Sequence, residues 1–287
     1  MADAWDLTGR AAAAAGVRIA PLEALSDAEA VAAVIARVWG EQPLGSELLR
    51  ALEHAGCPFL GAWEADVATK PAADRSLVGY VLGFVGVAGG LHVHSHMLAV
   101  MPEWRRRGAG FALKLAQRAW ALDAGIPEIR WTFDPLLLGN ARFNLLKLGG
   151  VATAFLPNFY GAMQDELNRG ERTDRFELTW MTSAERVHDV LEAGGSRPGR
   201  APPDAVPILT WEGDPDAPRP VATGMAPGER ALVAIPPHHL QLRRSHPPLA
   251  AAWREAAGTA FRACFDHGLA AASVTDDGRY VFERSST

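Results

Sequence analysis

The segment Leu98 to Gly110 constrains this chain more than any other: an apolar run ends at Val100, three consecutive arginines occupy 105 to 107, and glycines stand at 108 and 110. Apolar residues return at helical spacing directly afterwards, at Phe111, Ala112, Leu115, Ala119 and Leu122, so the segment joins a strand to a helix. Glycine lets the backbone turn tightly and clears the side-chain volume an approaching ligand needs. Backbone N–H groups at a helix start, with its partial positive charge, form a cradle for an anion, and flanking arginines add charge where a phosphate sits. The loop has no Gly-Lys-Ser/Thr ending and no GxGxxG spacing, which excludes a Walker loop and a dinucleotide fingerprint.

That local positive site is set in an acidic chain. The 287 residues carry a formal net charge of -5 and a pI near 6.0, which offers no field for a nucleic-acid backbone but leaves room for a small anion. With 48% apolar and 21% charged residues the composition is that of a globular protein, neither disordered nor a disulfide scaffold. The two cysteines, Cys57 and Cys264, form no CxxC pair, and the amino terminus lacks a signal-peptide pattern, so a cytoplasmic protein is expected. The long uncharged stretch from Ser76 to Met101 is broken by glycines and histidines and reads as strands rather than a membrane helix, so no membrane partner is expected.

Along the chain, Val17–Pro21 reads as a strand, and Ser26 with Glu29 fits a capping box opening a helix over Val31, Val34, Ile35 and Val38. A second helix is expected from Ser46 to His54. Pro58–Trp63 and Leu77–Val87 read as a hairpin joined by the polar stretch Ala65 to Arg75, and Leu91–Val100 as the strand before the glycine loop. An amphipathic helix follows over Gly108 to Ala124. Then come a strand (Ile126–Phe133), a short helix (Asn140–Leu148) and two strands (Val151–Phe159, Arg175–Met181). Ala193 to Ala205 is rich in glycine and proline and reads as a linker, dividing a domain of 1–192 from an extension of 206–287. In the extension, Ala231–Ile235, a helix around Leu249 to Cys264, and Ala270–Thr275 paired with Tyr280–Arg284 across Asp277-Gly278 give a β-α-β-β order packed on the first domain. The same order describes Ile126 to Met181, which suggests a degenerate half-repeat.

Arg105-x-x-Gly108-x-Gly110, after Leu98-x-Val100 and before a helix, resembles the pyrophosphate motif of the GNAT superfamily of acyl-CoA N-acyltransferases, and the element order from 17 to 182 resembles that superfamily too. More narrowly, Trp131 to Pro135, Gly139-Asn140-Ala141, Lys147-Leu148-Gly149, Tyr160-Gly161, Thr173-Asp174-Arg175 and Ala251 to Arg254 resemble a bacterial branch with a C-terminal extension. The resemblance implies an α/β (α+β) fold with a mixed, mostly antiparallel sheet flanked by helices. It implies an enzyme moving an acyl group, acetyl or succinyl, from acyl-CoA to the amine of a small molecule, an amino-acid-like acceptor included. It implies that the backbone of Leu98 and Val100 pairs with the pantetheine arm, that Arg105, Arg106, Arg107, Gly108, Ala109 and Gly110 hold the pyrophosphate, and that Asn140 caps its helix or touches the pantetheine. Acyl-CoA is then a cosubstrate, with no metal; a homodimer is allowed. The rival expectation is a non-catalytic module that keeps the shape and binds coenzyme A, or serves assembly.

The usual proton donor of such enzymes, a tyrosine four residues before the helix-ending glycine, is replaced here by Leu145. Tyr160, at the end of the following strand, is the nearest substitute; otherwise the thiolate leaves unaided and Tyr160 is a turn residue. His92, His94 and His96 alternate on one strand and so share a face: a metal triad, an acceptor-side base at His96 or His94, or histidines bonded within the sheet. Asp134 either holds an acceptor ammonium or, as we favour, caps a turn. His238-His239 and Arg243-Arg244 read as solvated surface.

Overall fold

Strands form where the expected apolar runs lie, and the first unit of the chain is built on five of them. In a computed structural model, residues 4–40, 45–65, 76–163 and 171–284 are described. They fall into two compact units, Met1–Trp131 with Met181–Ser183 and Thr132–Trp180 with Ala184–Thr287. The expected hairpin loop lies, beyond Ala65, outside the described residues.

In the first unit β1 (Val17–Pro21), β2 (Phe59–Glu64), β3 (Leu77–Gly86) and β4 (His92–Val100) pair antiparallel in sequence order, and β5 (Glu128–Phe133) joins β4 in parallel. Helices α2 (Ala28–Trp39) and α3 (Ser46–His54) bury Val31, Val34, Ile35 and Leu49 against one face, with Tyr80, Leu82 and Ala99. The other face carries α4 (Ala109–Asp123) and, unforeseen in the sequence, α1 (Ala4–Ala14). The alanine run favours a helix. Because α1 covers α4, residues Ala112 to Ala119 are all buried, so α4 is enclosed rather than amphipathic.

The capping box does not form. Asp27 is the N-cap of α2 without a side-chain cap bond; its carboxylate instead accepts the N–H of Glu23, while the Ser26 hydroxyl donates to the Glu23 carboxylate. These residues close the turn before the helix rather than its first turn.

In the second unit the short α5 (Leu138–Ala141) runs into a π-helical turn, Arg142–Lys147, closed by the Leu148 N–H on the Phe143 carbonyl. The expected single helix is thus two geometries, ended by Gly149 at φ +73. Strands β6 (Val151–Leu156) and β7 (Arg175–Met181) form an antiparallel hairpin. Beyond α6 (Glu185–Glu192) the extension holds more than the expected four elements: β8 (Val206–Glu212), β9 (Arg219–Ala222), β10 (Arg230–Ala234), α7 (His239–Ser245), α8 (Pro247–Asp266), β11 (Leu269–Val274) and β12 (Arg279–Arg284). Their sheet order is β6-β11-β12-β10-β8-β9.

The expected linker at 193–205 lies inside this second unit. β11 pairs with β6 at Ala271 and Ala152, and Phe176 on β7 meets Phe261 and Phe265 of α8 and Tyr280 and Phe282 of β12, with ring centroids 4.6 to 6.2 Å apart. One aromatic core therefore serves both the hairpin and the extension.

Candidate active site

Two features of β4 build the site in the first unit. Its ladder with β3 runs from Gly86–His92 to Gly79–Val100 but shifts between Leu82–Met97 and Gly83–Ser95, leaving His96 as an extra, bulged residue. A bulge breaks the alternation of faces. Ser95 therefore faces α4 on one side of it, and Leu98 and Val100 face α4 on the other, while Met97 and Ala99 join the α2 side. The parallel ladder of β4 with β5, in contrast, records only Val93–Ile129 and His94–Arg130. From Ser95 onward the two strands part.

The loop after β4 turns the chain into α4. Pro102–Trp104 forms a 3-10 turn, Arg106 sits at φ +64, and Gly108 is the N-cap of α4 at φ +99. Glycine is required there, since a Cβ would also lie 3.3 Å from that of Ala15. At Gly110, by contrast, a Cβ would meet Val100 and Leu98 at 3.5 and 3.9 Å, ordinary contacts, so nothing in the protein itself demands a glycine. The arginines surround this turn: Arg105 Nε donates to the Val100 carbonyl at 3.3 Å, and the Arg107 guanidinium lies 5.1 Å from the Trp104 ring. All three are exposed, and the first N–H groups of α4 point out of its end by helix geometry.

At the bulge, His94 and His96 share a cluster with Phe84, at centroid distances of 5.0 Å and 5.9 Å. Burial, then the charges of His96, His92 and Lys114, pushes His94 down to about 4, and burial lowers His96 as well, so both are neutral at pH 7. The His92 ring lies against Gly86, and its Nδ1 contacts the Gly90 carbonyl at 2.8 Å. Among the described residues no group of three His, Cys, Asp or Glu is placed to hold a metal ion. No helix among them is long and apolar enough to cross a membrane.

The sequence reading missed the opposite side of β4. Lys114, on α4, is 2% exposed; its Nζ donates to Ser95 Oγ at 3.1 Å and Gln117 Oε1 at 2.8 Å and stands 3.6 Å from the Trp131 ring centroid. Burial lowers its pKa well below that of a free lysine. The available signal was a lysine on the buried face of a helix.

The second unit holds the other candidates. Asp134 closes a turn by accepting the Leu136 N–H at 2.9 Å, and both its oxygens also accept from Arg254, at 2.7 and 2.9 Å. Its carboxylate is thus occupied within the protein. Tyr160 contacts Thr132 Oγ1 at 3.0 Å through its hydroxyl, with the Arg175 guanidinium 5.4 Å from its ring, in a turn held by Thr173. Asn140 is the third residue of α5, whose N-cap is Leu137, so it is not the cap; it is exposed. Leu145 is 1% exposed, a core side chain in the π turn. His239, read as surface, is buried: its Nε2 lies 3.0 Å from Glu171, which also accepts from Arg254 at 2.7 Å.

A glycine turn at the head of α4 thus follows parallel strands that part after His94 and Arg130. Residues 22–143 match the model of the acetyltransferase (GNAT) family. Solved structures to which the chain is similar include Ard1 from Thermoplasma volcanium, 20% identical over 58% of this chain and 97% of that one, with a TM-score of 0.45. NAA60 of Arabidopsis thaliana in complex with acetyl-CoA is 15% identical over 57% and 99%, at 0.48. The putative acetyltransferase yncA from Salmonella typhimurium, solved with its cofactor acetyl-CoA, is 17% identical over 59% and 96%, at 0.45. A comparison with curated proteins finds no match.

Proposed function

We propose that the protein transfers an acyl group, acetyl or succinyl, from acyl-CoA to the amine of a small molecule by direct attack on the thioester. The observation that carries this reading is the parting of β4 from β5 directly before the Gly108 turn. An extended pantetheine arm can add to the β4 edge at Leu98 and Val100 as a ligand strand does, while its pyrophosphate meets the N–H groups of Gly108, Ala109 and Gly110 and the arginines at 105 to 107. The bare Gly110, which packing inside the protein does not require, supports a close approach by that ligand.

Neutral His96, in the bulge where the strands part, is the proposed base, taking a proton from the attacking amine directly or through water. Tyr160 remains a proposed donor to the leaving thiolate, and Asn140 a proposed contact to the pantetheine. Asp134, engaged by Arg254, is better suited to hold its turn than to bind an acceptor ammonium. Titration calorimetry with coenzyme A, acetyl-CoA and succinyl-CoA tests the cradle: binding is expected, and none at millimolar ligand overturns the reading. Thiol release across a panel of amino acids and amines separates an enzyme from a module that binds coenzyme A without turnover.

A further inference from the structure

Lys114, Ser95 and Trp131 meet at the point where the strands divide. His94–Arg130 is the last β4–β5 pair; Ser95 and Trp131 are the next residue on each strand, and Lys114 Nζ touches both. The amine thus stands behind the apex of the wedge, on the α4 side of the sheet, whereas His94 and His96 gather with Phe84. Nζ donates to a hydroxyl oxygen and an amide oxygen and stands over a π face, surroundings that suit an ammonium.

Gln117 is fixed in the same pocket. Its Oε1 accepts from Lys114, which turns its buried Nε2 toward Gly83, where any Cβ would approach within 2.9 Å. The lysine is therefore held in place by a neighbour that is itself wedged.

Resting on the acyltransferase reading above, we propose that the Ser95 hydroxyl protonates the thiolate of coenzyme A as it leaves, with Lys114 as the positioning residue that replaces the hydroxyl's proton. The new N–C bond forms as the C–S bond breaks and the electron pair goes to sulfur. The Ser95 proton moves to that sulfur, a proton of Lys114 moves to Ser95 Oγ, the attacking amine sheds one proton to solvent, and one returns from solvent to Lys114. The pair supplies the acid that Leu145 cannot. Burial lowers the lysine's pKa, which makes its ammonium a better acid than a free one.

The titratable groups on the surrounding elements are His92, His94 and His96 on β4, Tyr80 on β3, Glu64 at the end of β2, Glu128 and Arg130 on β5, Arg118 and Asp123 on α4, Arg18 on β1, and Asp6 and Arg10 on α1. His94 is in electrostatic reach of Lys114.

The test needs no acceptor. Coenzyme A is bound to the protein, and thiolate absorbance is followed against pH, with the ligand-free protein subtracted to remove Cys57 and Cys264. The bound thiol of the wild type is expected to ionise below the free thiol, which titrates near 8.5, and Ser95→Ala and Lys114→Met are each expected to raise it by about one pH unit. Ser95→Ala removes a single hydroxyl and keeps the test valid if Lys114→Met fails to fold. A thiol pKa the same in wild type and Ser95→Ala, with coenzyme A still bound, overturns the relay; absence of binding to the wild type overturns the acyltransferase reading instead.

Discussion

Gly108 carries two burdens that different substitutions separate. Gly108→Ala forces a side chain into left-handed backbone at φ +99 against Ala15, which is expected to cost about 1–2 kcal/mol of stability, read as a lower urea midpoint. Gly108→Glu adds a negative charge to the proposed phosphate cradle and should abolish coenzyme A binding in calorimetry; unchanged affinity would show that the anion sits elsewhere. Leu145→Tyr restores the residue usual in such enzymes, but the position is a packed one. It should destabilise by about 1–3 kcal/mol without raising turnover, and a faster enzyme would disprove that account. At His96 burial lowers the folded pKa, so the neutral base persists below pH 6.5 and is lost only as pH falls through the lowered value. The acid limb of kcat/KM for an amine found to turn over should therefore lie below 6.5 and disappear in His96→Ala. The glycine turn at 105 to 110 was legible because it follows from backbone freedom. The part played by Lys114 was not: it is one of three lysines among 28 basic residues, and only the fold brings Ser95 and Trp131 to it.

At the scale of elements, α8 delivers Arg254 into a buried group with Asp134, Glu171 and His239. Burial opposes ionisation of Glu171, but hydrogen bonds and charge from His239 and Arg254 outweigh it and hold the carboxyl at about 2 rather than 4.5. A depressed carboxyl stabilises the fold above its unfolded pKa, and that contribution, on the order of 3 kcal/mol, is lost as pH falls from about 4.5 toward 2. Urea unfolding of wild type and Glu171→Gln should show a gap that is full at pH 7 and closes across this window. Arg254→Ala leaves Asp134 without its cation and Glu171 with Arg243 at 3.9 Å and should cost about 3–5 kcal/mol. Strand and helix positions were legible for most of the first unit, where apolar periodicity is strong. Elements α1, α6, α7, β8 and β9 escaped, as did the π turn, because short or alanine-rich segments take their structure from what they pack against.

For the whole molecule, the aromatic core around Phe176 decides whether the extension is dispensable. Ending the chain before Val206 removes Phe261, Phe265, Tyr280 and Phe282 from Phe155 and Phe176 and uncovers the β6 edge. Such a truncation is expected to aggregate or bind a hydrophobic dye, and a monodisperse, coenzyme A-binding product would show that 1–192 is a domain in its own right. The sequence by itself determined the glycine turn after β4 and the order of strands and helices around it, because turn chemistry and apolar periodicity act over a few neighbouring residues. Only the tertiary structure decided where β4 leaves β5, that a lysine stands behind that gap, that Asp134 is already occupied, and that the extension shares a core with β6 and β7. Each of these depends on residues distant in sequence, and no local preference encodes which of them will meet.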